Sequence, residues 1–151
     1  MKRYTHRIYG FLQRPTGEVL VALERFKDRP LIKDPGGGLE WGESHAECLI
    51  REFQEELSLD IRLGDCVFFN DFPVISAFDT DVYVQAFFYR VEAVNEAAVE
   101  AIATVDTWEV PAENGEQFKW VRPEDLDPTR FTYVIEQVAT RAWLAEARSQ
   151  R

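Results

Sequence analysis

The segment Gly36 to Glu56, GGGLEWGESHAECLIREFQEE, constrains this chain more than any other. Six glutamates fall within the seventeen residues that begin at Glu40, directly behind three consecutive glycines. Ser44 to Leu57 is predicted to be a helix, because Ser44 with Glu47 three residues later is a capping-box signature. On a wheel of ~100° per residue, Ala46, Leu49, Ile50, Phe53 and Leu57 share an apolar face that can pack on a sheet. Glu52, Glu55 and Glu56 fall on another arc at i, i+3 and i+4, with Cys48 and Arg51 beside it. Carboxylates so spaced are neighbours and repel by roughly 0.2–0.5 kcal/mol per pair in water. The fold must therefore solvate this arc or place a strong positive charge on it.

A hard divalent cation satisfies the second condition. Mg²⁺ takes oxygen ligands, usually only a few carboxylates, and keeps positions for water and substrate phosphates. The glycines remove side chains beside the acidic arc, so that a backbone carbonyl there can approach as a further ligand. Taken alone, such a cluster is equally a tight turn.

The net charge of −10 in 151 residues disfavours nonspecific binding to nucleic acid, which needs a basic surface. It suits cation binding, or a small anion that arrives with metal ions. Cys48 and Cys66 are too few for a disulfide framework or a zinc site and are expected to be reduced core thiols, consistent with a cytoplasmic location. No apolar run approaches the ~20 residues of a membrane span, and the opening MKRYTHRIYG lacks the apolar core of a signal peptide.

No repeat, linker or composition break divides residues 1–151, so a single domain is expected. Arg7 to Leu12 and Glu18 to Glu24 are β-rich runs joined by the turn Arg14-Pro15-Thr16-Gly17, an opening hairpin. Phe26 to Gly38, with two prolines and three glycines, is expected to be loop. Strands are predicted at Ile61–Asn70, Asp81–Val91 and Phe118–Val121, a short helix at Asn95–Ala103, and a turn at Arg122–Leu126. Thr132–Ala147 closes the chain as an amphipathic helix that offers Val134, Ile135, Val138, Ala142 and Leu144 for packing. Mixed strands with few helices indicate an α/β fold in which helices sandwich a sheet.

Together the glycines and the helix resemble the signature of the Nudix hydrolase family, G-x5-E-x7-R-E-U-x-E-E-x-G-U, with U a bulky apolar residue. Gly37, Glu43, Arg51, Glu52, Phe53, Glu55, Glu56 and Leu59 meet eight of its nine specified positions, and Ser58 stands where the final glycine is expected. The resemblance implies the Nudix fold, a mixed β-sheet between α-helices in an α/β/α arrangement. It also implies Mg²⁺, with Mn²⁺ as a substitute, held by Glu52 and Glu56, with Glu55 as a further ligand or water-activating base. The Gly36 carbonyl is an additional ligand on this view, Arg51 orients a carboxylate, and Glu43 supports the loop–helix geometry. Family members often add an acidic residue from a loop before a Trp-containing strand, and here Glu113 and Glu116 precede Trp120, Glu116 being the first choice. At the helix end the family's glycine occupies a place that often needs a left-handed residue, so Ser58 is expected either to adopt that conformation at modest cost or to end the helix differently.

The implied reaction is hydrolysis of a nucleoside diphosphate linked to another moiety, with a small-molecule nucleotide as partner and neither nucleic acid nor membrane. Many relatives pair into homodimers. Arg25 and Lys33 are candidate phosphate contacts. Among Tyr9, Phe11, Phe26, Phe68, Phe69 and Phe72, Phe26 is the candidate to meet the substrate, and core packing is expected for most. Pro73, fifteen residues beyond Ser58, has the spacing of a proline in ADP-ribose-hydrolysing relatives, without the accompanying downstream glutamate. A nucleoside triphosphate, oxidised or not, is the first expectation. ADP-ribose, nucleotide sugars, dinucleoside polyphosphates and a non-catalytic nucleotide-sensing module are the alternatives.

Overall fold

In β1 (Arg3–Leu12) and β2 (Val19–Phe26) alternate side chains enter two different cores, which makes these strands the centre of the molecule. The computed structural model describes residues 1–149. Ile8 and Leu12 of β1, with Leu20 and Ala22 of β2, pack on one side against Cys48, Leu49 and Phe53 of α1 (His45–Leu57). Tyr9 and Phe11, with Val19, Val21 and Leu23, pack on the other side against Ile135, Ala139 and Trp143 of α3 (Val134–Ser149). A period of two along a strand separates the faces, and each large apolar side chain so buried contributes about 1.5–3 kcal/mol. Gly10 interrupts the first row, and a Cβ there would stand 3.0 Å from the Phe53 ring, so the gap lets α1 settle on β1.

The remaining elements are β3 (Arg29–Lys33), β4 (Gly36–Gly38), β5 (Ile61–Phe69), β6 (Val82–Ala93), α2 (Glu96–Val99) and β7 (Gly115–Val121). They complete two sheets. A mixed one runs β4-β1-β6-β5, with β1 parallel to β6, and an antiparallel one runs β3-β2-β7. The helices α1 and α3 flank them, in the expected α/β/α arrangement. Among the described residues no helix is long and apolar enough to cross a membrane.

Several local expectations are corrected. β1 and β2 do not form a hairpin within one sheet; only the bridge Gln13–Val19 joins them. The segment Phe26–Gly38 contains β3 and β4 rather than loop alone, because Lys27 (φ 50°) and Asp28 (φ 62°) turn the chain through left-handed backbone into an edge strand. Pro30 is tolerated in that edge strand. On α1 the buried face is Cys48, Leu49 and Phe53, whereas Ala46 and Ile50 face solvent. On α3 Val134 is exposed, and Glu136 and Thr140 are buried beside Ile135, Ala139 and Trp143. Cys66 lies on the exposed edge strand β5, so only Cys48 is a core thiol.

Candidate active site

The capping box is present at the start of α1: Ser44 Oγ accepts from the Glu47 amide at 3.1 Å, and the Glu47 carboxylate accepts from the Ser44 amide at 3.2 Å. At the other end Ser58 is left-handed (φ 50°, ψ 38°), and the amides of Ser58 and Leu59 donate to Gln54 and Phe53 carbonyls. Between these caps the helix carries Arg51, Glu52, Glu55 and Glu56. It is aimed at β4 by the core residues Leu49 and Phe53.

The glycine strand is shaped by what crosses it. Gly36, at φ 146°, faces Tyr9 across the β1–β4 pair, and a Cβ there would collide with the Ile8 carbonyl and stand 2.8 Å from Tyr9 Cα. At Gly37 a Cβ would meet the Glu52 carboxylate, 2.5 Å from its Cδ. Glycine is thus needed at Gly36 for backbone and at Gly37 for the carboxylate that lies over it.

Arg51 is the hub of the acidic arc. It donates to both oxygens of Glu43 (Nε 2.6 Å, Nη2 3.0 Å), to Glu52 Oε1 at 3.0 Å, to Glu55 Oε2 at 3.3 Å and to the Gly38 carbonyl at 3.1 Å. Such a planar bidentate pair fixes orientation as well as charge. These hydrogen bonds, joined by one from the Glu40 amide, hold the Glu43 carboxyl down at about 2. Glu43 therefore ties the loop to the helix through Arg51.

Glu56 has no such partner. Its Oε2 is buried without a hydrogen bond, as are both carboxylate oxygens of Glu116. Glu116 lies on β7, directly opposite Glu24 on β2, and approaches Glu56 from across the cleft. Like charges placed so close are destabilising without a counter-charge. Burial first, and then the neighbouring carboxylates, push Glu56 and Glu116 well above the usual carboxylate range.

Glu56, Glu116 and Phe118 form the common wall of two clefts. One, of about 440 Å³, is also lined by Glu24, Arg25 and Phe26; the other, of about 540 Å³, runs past Ser58 and Ala101–Val105. Orphaned buried carboxylate oxygens at a cleft wall, beside a Gly37–Glu52 crossing, are suited to a hard cation. Among the described residues no three acidic, histidine or cysteine side chains converge closely enough to hold a metal ion as they stand, and Arg51 engages Glu52 and Glu55.

Other candidates fall as follows. Glu116 is a strand residue rather than a loop residue, and Glu113 is exposed. Arg25 and the half-exposed Phe26 line the first cleft, with Arg25 braced on the Pro111 and Asp28 carbonyls. Lys33, expected at the phosphates, is instead buried, with Nζ 3.7 Å from Glu116 and 3.5 Å from the Gly36 carbonyl. Tyr9 and Phe11 are core residues, whereas Phe69 and Phe72 are exposed. Glu24 escaped the sequence reading, although a carboxylate that ends the apolar run Val19–Leu23 was a visible signal.

A family model described as NUDIX domain matches residues 3–143. Comparison with curated proteins finds no match. The chain resembles the solved E. coli ORF135 protein (TM-score 0.68, 16% identity, covering 99% of this chain and 94% of that one). It also resembles the MutT protein from Methanosarcina mazei Go1 (TM-score 0.67, 20% identity, 97% of each chain). A third similar structure is that of an ADP-ribose pyrophosphatase from Streptococcus suis 89-1591 (TM-score 0.57, 14% identity, 97% of this chain and 94% of that one). At such identities these structures establish a shared fold.

Proposed function

The chain belongs to the Nudix family, and on that premise we propose that it is a Mg²⁺-dependent pyrophosphohydrolase of nucleoside diphosphates linked to another moiety, a nucleoside triphosphate first among them. The observation that carries this reading is the carboxylate pair Glu56–Glu116 at the wall of an open cleft, with buried oxygens that lack hydrogen-bond partners. Glu52, Glu56 and the Gly36 carbonyl would hold Mg²⁺ or Mn²⁺, with Glu55 on the same acidic arc and Glu116 approaching from β7. When bound, the cation neutralises the diphosphate and acidifies an attacking water.

The chain's own groups do the rest. Arg51 and Glu43 keep Glu52 over Gly37, so that the carboxylates are oriented before substrate arrives. Glu55, tethered to Arg51 and open to solvent, accepts the proton of the water that attacks phosphorus. The bridging P–O bond breaks, and the leaving phosphate carries away the electron pair. Arg25 at the cleft mouth binds a phosphate, and the Phe26 ring offers a surface for the base. A cytoplasmic setting and a homodimer belong to the same reading.

The test is a substrate panel with Mg²⁺ or Mn²⁺, comprising nucleoside triphosphates, ADP-ribose, nucleotide sugars and dinucleoside polyphosphates, with phosphate and pyrophosphate release measured. Turnover of a triphosphate is expected. Tight nucleotide binding with no turnover of any member would instead identify a sensing module. Glu56→Gln should abolish most activity and weaken Mg²⁺ binding with the fold intact; wild-type rates in that variant would remove Glu56 from the metal site.

A further inference from the structure

Lys33 is the last residue of β3 and the buried cation of the cleft. The residue is 5% exposed, and its ammonium lies 3.7 Å from Glu116 Oε2 and 3.5 Å from the Gly36 carbonyl. Glu24 and Glu56 act on its charge as well. It therefore sits among groups to which the hydrolase reading assigns a divalent cation, and contacts one of the same oxygens.

A second buried acidic pair includes the chain neighbour of Lys33, Asp34. Asp34 on the β3–β4 connection and Glu136 on α3 are each 1% exposed; burial pushes both carboxyls well above the ordinary range, and the positive charge of Lys33 opposes that shift. Asp34 Oδ2 and Glu136 Oε2 are buried without hydrogen-bond partners. Arg7 contributes positive charge there, but its Nε is held by Tyr9 Oη at 2.7 Å. One lysine thus pairs with the first of two buried acidic pairs and influences the second, and each pair has oxygens without a hydrogen bond.

We propose that Lys33 is the resident counter-ion of the carboxylate cleft and that Mg²⁺ displaces its ammonium toward Asp34 and Glu136. The inference rests on the metal-dependent reading of the cleft. A buried carboxylate pair without a cation is costly, so Lys33 stabilises the metal-free fold. A divalent ion at Gly36, Glu52 and Glu56 would repel an ammonium that touches the Gly36 carbonyl. The four-carbon stem of lysine lets the charge swing without leaving the interior, and the orphaned oxygens of Asp34 and Glu136 receive it.

The experiment is calorimetric Mg²⁺ titration of metal-stripped wild type, Lys33→Met, Lys33→Arg and the double variant Asp34→Asn/Glu136→Gln, with thermal melts in EDTA and in Mg²⁺. Lys33→Met should bind Mg²⁺ about tenfold more tightly once the competing charge is gone, while melting lower in EDTA than in Mg²⁺ relative to wild type. Lys33→Arg should stay near wild type, and the double variant should bind Mg²⁺ several-fold more weakly. Equal loss of melting temperature in both media, with no tightening of Mg²⁺ binding in Lys33→Met, would overturn the proposal. If Lys33→Met folds in neither medium, the double variant decides, and unchanged Mg²⁺ affinity there overturns it. A wild type that binds no Mg²⁺ overturns the hydrolase reading along with it, whereas wild-type binding that Lys33→Met leaves unaltered overturns this proposal alone.

Discussion

Replacing Gly36 and Gly37 separately by alanine should give opposite phenotypes from adjacent positions. At Gly36 the added Cβ meets backbone, the Ile8 carbonyl and Tyr9 Cα at 2.8 Å, and the residue sits at φ 146°. Backbone cannot step aside, and the conformation itself costs an L-residue about 1–3 kcal/mol. With the collision added, a loss of at least about 3 kcal/mol is expected, or roughly 6–12 °C in Tm for a chain of this size. At Gly37 the Cβ meets only the end of the Glu52 side chain, 2.5 Å from Cδ. That end is flexible, so the stability cost should stay below about 1 kcal/mol. The displaced group, however, is the carboxylate proposed to hold the metal, and a misplacement of about 1 Å can cost 10²-fold in rate. Thermal melts with steady-state kinetics on the preferred substrate separate the two. A Gly37→Ala protein with wild-type kcat/KM, or a Gly36→Ala protein with wild-type Tm, would refute the reasoning.

Three further outcomes are expected. Ser58→Gly should raise stability by about 0.5 kcal/mol, because the left-handed backbone suits glycine, while Ser58→Val should lower it by about 1–2 kcal/mol; urea melts read both. In the native protein a thiol reagent at pH 8 should modify Cys66 alone, since Cys48 is fully buried and its thiol is pushed up to about 11; two fast thiols without denaturant would contradict the packing of α1. Burial, and then the charge of His6, hold the His45 imidazole below its ordinary value of 6.5, so the unfolded chain protonates there first and this residue's contribution to stability is lost as pH falls through that range. An NMR titration midpoint above 6.5 for His45 would show that sign to be wrong.

What could be read from the sequence was local. The cap at Ser44 and the helix to Leu57 depend on neighbours within a few positions and are visible in the residue order, whereas the left-handed backbone at Ser58 was suggested only by the family signature, as one of two ways to end the helix. β3 and β4 were hidden because Lys27-Asp28 lacks the glycine that usually marks such a turn, and because three glycines carry no strand propensity. The wheel misplaced the buried face of α1 by about one residue, because Glu52 and Glu56 themselves turn toward the protein while Ala46 and Ile50 face water. Lys33, Asp34 and Glu136 were out of reach for a different reason. Their burial depends on α3 meeting the β3–β4 connection across a hundred residues of chain, which no local pattern encodes.

The parallel pairing of β1 with β6 also sets an order of events during synthesis. Arg3 pairs with Val82 and Leu12 with Val91, so the first strand made has to wait for most of the chain before its central neighbour exists. Until then the Tyr9–Phe11 row has no cover from α3, and β1 has only the β4 edge to join. A nascent chain stalled before Val82 should therefore present an adhesive strand to chaperones. Release from that state should come abruptly, once β6 clears the ribosome, and not gradually with length.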